Sequence, residues 1–311
     1  MYRRWILFAL AIFLSIFLVA CTTATTQQPQ AKVTETTEIP NTKSQQLPKE
    51  SAQRVVALSS LTTDIIYQLD KTKLVGITGS TLFKNDPRFK DIPHVSEGQN
   101  PPNLEKIVAL KPDLVIGAEG FSNQPIQRLQ QLGIPTFLTQ VKSWKSLEEL
   151  TKKLAKLIDA DPQPLLNRYK TFLPDKLTQS PSTLVLVSQQ PILAPNKNSW
   201  AGQLLAKFQA KNLAAELQGQ SQIGGYVTLS AEKVVQANPE VIIVVNPPQG
   251  SSETAVLESF KKEAFWQKLQ ATKNNRIYIF SYYGLVNPGS IDAIEKACQQ
   301  LKQDLLAAEK I

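Results

Sequence analysis

The sequence predicts an α/β protein of two lobes with mainly parallel sheets, joined by a single long helix, and three observations predict it. Short β-branched runs alternate with amphipathic stretches along most of the chain, the order that builds parallel strands with helical crossovers. A long helical pattern beginning near Ser146 divides these units into two groups. A twelve-residue segment of the first group recurs, without gaps, in the second.

The elements of the first group come in order. Arg54 to Leu58 (RVVAL) reads as a strand, Thr62 to Leu69 as a helix, and Leu74 to Thr78 (LVGIT) as a second strand. A helix near Leu104 to Leu110, a strand at Asp113 to Gly117, a helix over Pro125 to Leu132 closed by Gly133, and a strand at Pro135 to Thr139 complete one lobe. The long helical pattern runs from about Ser146 to Leu177 and carries Leu147, Leu150, Leu154, Leu157 and Ile158 at helical spacing. Asp161-Pro162 interrupts it, which implies a kink or a turn there. Strands then restart at Thr183 to Val187, Val241 to Val245 and Arg276 to Phe280, with a final helix from Ile291 to Ala308. The resulting boundaries are residues 53–143 for the first lobe, 144–180 for the connecting helix and 181–311 for the second lobe.

The recurring segment is Glu105 to Ile116 (EKIVALKPDLVI) and Glu232 to Ile243 (EKVVQANPEVII), at a constant offset of 127 with five of twelve positions identical. Asn103 and Ser230, which have the chemistry of helix caps, keep the same offset. In each copy a glutamate occupies the first helical turn, where it faces the positive end of the helix dipole, worth ~0.3–1 kcal/mol at a surface. A proline then stops the helix before an apolar strand.

Ahead of the lobes, Arg3 and Arg4 precede an apolar run from Trp5 to Ala20 that ends at Cys21. This is the order of a secretory signal, and the run falls short of the ~20 residues a spanning helix needs. Leu18-Val19-Ala20-Cys21 resembles the lipobox of bacterial lipoproteins, which implies cleavage after residue 20 and acylation of Cys21. Residues 21–52 are rich in Thr, Gln, Pro and Lys and read as a flexible tether.

Composition excludes several functions. Removing Arg3 and Arg4 from the net charge of +8 leaves +6, spread over helix-face lysines such as Lys152, Lys153 and Lys156. No basic run is interleaved with aromatics, so nucleic acid is not an expected partner. If Cys21 is lipidated, the other cysteine, Cys298, has no partner for a disulfide; its spacing places it on the buried face of the last helix. The single histidine, His94, cannot by itself build a site for a bare transition metal. No GxSxG, GxGxxG or GxxxxGK[ST] pattern occurs, so no catalytic residues and no cofactor are expected.

The segments RVVALSSLTTDIIYQLDKTKLVGIT, NPPNLEKIVALKPDLVIG and LSAEKVVQANPEVIIVV are similar to the periplasmic binding proteins of importers for ferric siderophores, haem and cobalamin. That resemblance implies two Rossmann-like lobes joined by one rigid helix, with a ligand held between them. It implies an ABC permease dimer with ATPase subunits as partner, a metal chelate as cargo, and a chain exported across the cytoplasmic membrane to the periplasm or the membrane's outer face. It further implies that Glu105 and Glu232 dock against permease arginines, one per lobe. By order along such a fold, Phe83, Glu97, Glu119, Trp200, Tyr226, Tyr282 and Tyr283 fall on crevice-facing segments, with Trp200 and Tyr226 the preferred walls. These segments match neither the arginine clusters of many siderophore binders nor the several tryptophans of cobalamin binders, so cobalamin and haem stay open beside a ferric siderophore, with His94 a conceivable axial contact to haem. A two-lobe lipoprotein serving as an interaction or regulatory subunit is the alternative of a different class.

Overall fold

The computed structural model describes residues 47–97, 100–174, 181–218, 221, 223–246, 252–262 and 264–307. Cys21, the apolar run before it and most of the tether lie outside the described residues. The first lobe contains β1 (Val55–Ala57), α1 (Ser60–Asp70), β2 (Leu74–Ile77), α2 (Leu104–Ala109), β3 (Leu114–Ala118), α3 (Asn123–Gln131) and β4 (Thr136–Thr139). Its four strands lie in the order β2-β1-β3-β4, all parallel. Both faces are covered, so the strands read as continuous apolar runs, yet the pleat still sorts their residues. Val55, Ala57, Leu114 and Ile116 enter one core, whereas Val56 and Val115 pack with Ile107, Ile126 and Leu129 in another.

Between the lobes, α4 (Trp144–Ile158) starts at Ser143, whose side chain and that of Ser146 form a reciprocal cap. The expected single long helix is two. Asp159 takes a left-handed conformation at φ 58° and Pro162 follows, so α4 ends and α5 (Gln163–Phe172) starts anew. Thr151 and Tyr169 join the two helices by a buried hydroxyl pair at 3.0 Å. Lys152, Lys153 and Lys156 are exposed on the far face.

The second lobe contains β5 (Ser182–Leu186), β6 (Ser188–Gln189), β7 (Ile192–Pro195), α6 (Trp200–Lys207), β8 (Lys211–Asn212), β9 (Tyr226–Leu229), α7 (Ala231–Ala237), β10 (Val241–Asn246), α8 (Glu253–Lys262), α9 (Gln270–Lys273), β11 (Ile277–Ser281), the single turn α10 (Tyr282–Leu285) and α11 (Ile291–Ala307). Its main sheet runs β11-β10-β5-β8, again parallel. A small antiparallel sheet, β6-β7-β9, was not expected from the sequence. The pleat sorts this lobe in the same way. Val185, Val241, Ile243 and Val245 join the core that holds Val55 and Leu114, while Leu184, Leu186, Ile242 and Val244 form a separate one. One apolar core therefore runs through both lobes by way of α4, α5 and α11, where Cys298 is buried.

Candidate functional site

The loops at the carboxyl ends of the strands bring the lobes together, the usual place for a ligand crevice in open parallel sheets. After β2, Leu82 meets the segment that follows β11: a Cβ on Gly289, which sits at φ +68°, would come within 2.7 Å of Tyr283 and 3.1 Å of Leu82. After β4, Trp144 stacks on Trp200 with centroids 6.2 Å apart and planes at 17°. After β1, the buried carboxylate of Asp64 on α1 accepts the N–H of Ile291, the first residue of α11, at 2.7 Å.

An ionic network extends that last contact. Arg88 reaches Asp86 and Asp292, each at 2.6 Å, and Asp64 at 3.4 Å. Arg168 on α5 reaches Asp292 at 2.7 Å and Glu295 at 2.5 Å. Burial raises the Asp64 carboxyl above the ordinary carboxylate range against the opposing pull of Ile291 N–H and Arg88. The hydrogen bond to Asp86 raises Arg88, which therefore stays charged.

The structure separates the predicted ligand residues into packed and exposed sets. Trp200, expected as a wall, is 4% exposed and donates its indole N–H to the Gly284 carbonyl at 2.8 Å. Its ring is already stacked on Trp144, so it is a core residue and the expectation is corrected. Phe83 is likewise buried, tilted on Phe89 at 4.2 Å. Both occupy apolar space that a side chain must fill.

Tyr226 is half-buried, and burial with Tyr282 nearby pushes its phenol up to about 12. Tyr282 and Tyr283 meet edge to face at 5.4 Å and keep part of their surface in solvent. Glu97, Glu119 and His94 are exposed, the backbone of His94 bridging to Ile77 beside β2. Among the described residues no group of three or more His, Cys, Asp or Glu is placed to hold a metal ion. Sequence reasoning missed Phe121, which is 87% exposed in the turn after β3. Its signal was a lone large apolar residue within AEGFSN, a turn otherwise made of small and polar residues.

The two copies of the repeated segment build one local structure twice. The Asn103 side chain caps α2 through Lys106 N–H, and the Ser230 side chain caps α7 through Lys233 N–H. Ile107 and Val234 are buried at matching positions, whereas Glu105 and Glu232 are exposed in the first turns. Lys111 (φ 48°) and Asn238 (φ 42°) make the same left-handed turn. Next, Asp113 accepts the N–H groups of Gln53 and Arg54 before β1, and Glu240 accepts the N–H and hydroxyl of Ser182 at the start of β5. These bonds from Ser182 hold the Glu240 carboxyl below the usual range.

A model of the family described as periplasmic binding protein matches residues 55–282, which span both lobes. The chain belongs to this family. Its relatives include YvrC of Bacillus subtilis, named an uncharacterised ABC transporter substrate-binding lipoprotein, 29% identical over 252 residues that cover 74% of this chain and 73% of YvrC. The vitamin B12-binding protein of Vibrio cholerae is 26% identical over 265 residues, covering 81% of this chain and 90% of its own. A crystal structure of a possible iron-binding, periplasmic solute-binding protein from Staphylococcus epidermidis shares the fold, with a TM-score of 0.68 at 21% identity, over 82% of this chain and 99% of that one. Members of the family bind solutes and are not enzymes.

Proposed function

We propose that this periplasmic binding protein is the lipid-anchored capture subunit of an ABC importer, taking one metal chelate into the interlobe crevice and delivering it to a permease dimer with ATPase subunits. A ferric siderophore is the first-ranked cargo, with cobalamin and haem as the competing cargoes; relatives named for vitamin B12 and for iron support this class. The observation that carries the reading is the repeated local structure. It gives each lobe an exposed glutamate on a helix of the same design, and a pair so placed can meet the arginines of two permease subunits at once.

Cys21 carries the lipid in this reading, after export across the cytoplasmic membrane, and holds the protein at the periplasmic or outer face. YvrC, itself named a lipoprotein, supports it. Acylation by two or more chains gives stable anchoring, so Cys21→Ser should move the protein from the membrane to the soluble fraction. Docking is tested by the Glu105→Ala, Glu232→Ala double variant in cells that take up the chelate. Uptake should be abolished while chelate affinity stays unchanged, and undiminished uptake would refute the docking role.

A further inference from the structure

We propose that Phe121 is the first lobe's contact for the cargo, and that the cargo presents a broad apolar face to it rather than a shell of anionic groups; this rests on the capture reading above. The turn that carries Phe121 is held by several local contacts. Gly117 accommodates Ser122, whose Cβ would lie 2.5 Å from a Cβ at that glycine. The Ser122 hydroxyl accepts Ala118 N–H at 3.2 Å, and the Asn123 side chain accepts Gly120 N–H at 2.8 Å. Gly120 takes φ +85°, a conformation that favours glycine, with nothing near its absent Cβ. The N–H groups of Phe121 and Ser122 both donate to the Ala118 carbonyl, and that of Glu119 to Thr139.

A scattered surface apolar residue needs no explanation by itself. Phe121 differs in its place. It follows β3, an inner strand of its sheet, whose hydrogen-bonded neighbours β1 and β4 lead to contacts with the second lobe at Asp64 and Trp144. It therefore stands in the gap between two points where the lobes touch. The second lobe places apolar surface at the same end: Ile223 is 54% exposed and its carbonyl accepts Tyr226 N–H, beside the partly exposed Tyr282.

Charge in these loops does not gather into a cationic cluster, Lys84 being exposed in the loop after β2. Glu119, two residues from Phe121, is exposed, and Lys197 of the second lobe is paired with Glu216 at 2.5 Å. The arginines Arg88 and Arg168 are taken up by the ionic network. An aromatic ring held in water by a fixed turn recovers its apolar contact only when a ligand covers it.

The test titrates the mature chain, wild type and Phe121→Ala, with cyanocobalamin, haemin, a neutral ferric trishydroxamate and ferric citrate, following fluorescence of its tryptophans. Wild type should saturate with at least one of the first three and bind it more tightly than ferric citrate. Phe121→Ala should weaken that probe ~10-fold or more, and Phe121→Trp should restore most of it. Melting temperatures of the variants should stay within about 2 °C of wild type, because Phe121 is 87% exposed. Equal affinity of Phe121→Ala and wild type, or a preference for ferric citrate, would overturn the inference and leave capture standing. Failure of the wild type to saturate with any probe would overturn capture and this inference together.

Discussion

Cys298 has no exposed surface on α11, and burial pushes its thiol up to about 12. Reactivity needs thiolate, so a maleimide should leave Cys298 untouched in the folded chain and modify it once guanidinium unfolds the protein. Asp304, on the same helix, makes a pH-dependent prediction. Its Oδ2 is buried without a hydrogen-bond partner among the described residues, and burial raises the carboxyl from 3.8 to about 6. The folded state therefore holds this proton more tightly than the unfolded chain, and its contribution falls as pH rises from about 4 through about 6. Asp304→Asn should stabilise the protein by about 1–2 kcal/mol at pH 7.5, with the gain fading below pH 4 in a series of urea titrations. Legibility at this scale was uneven. The helical spacing of IDAIEKACQQL was enough to bury Cys298, because one face of a packed helix is a periodic property. The direction of a side chain in a loop is not periodic. Trp200 was expected as a crevice wall and Phe121 was not named, and only packing shows that the first is core and the second exposed.

At the scale of elements, the repeated segment was the most legible feature, because its cap, glutamate, proline and apolar strand are each a local preference written into consecutive residues. The carboxylates of Asp113 and Glu240 extend the repeat to strands far away in the chain, which no local pattern reveals. The small antiparallel sheet was hidden for a related reason: β6 has two residues and β7 four, too few to display alternation. The break at Asp159 was half legible, since Asp161-Pro162 marked an interruption while the choice between kink and turn depended on Asp159 at positive φ. The Arg88 network was illegible because its partners are scattered from residue 64 to residue 295. Its consequence is measurable. Arg88→Met leaves Asp64 buried beside a carboxylate-rich network, and should lower stability by about 2–4 kcal/mol. Adding Asp64→Asn should cost less than the sum of the two single changes in denaturant melts, since the groups share one network.

For the whole molecule, the shared core, the Trp144–Trp200 stack and the Asp64–Arg88–Asp292 contacts join the lobes directly, and on the capture reading the loops between these contacts form the crevice. Such fusion limits how far the lobes can separate, so capture must rely on a crevice largely formed before the ligand arrives. Small-angle scattering should accordingly show a change in radius of gyration on binding that is small beside a free hinge closure, and a large compaction would mean that these contacts break. On the proposed function each chain captures one metal chelate and leaves it chemically unchanged. Native mass spectrometry of the mature chain after equilibration with the tightest-bound probe should then show a single one-to-one complex that dissociates to unaltered chelate. An unliganded chain at saturating probe, or a chemically changed ligand, would overturn capture.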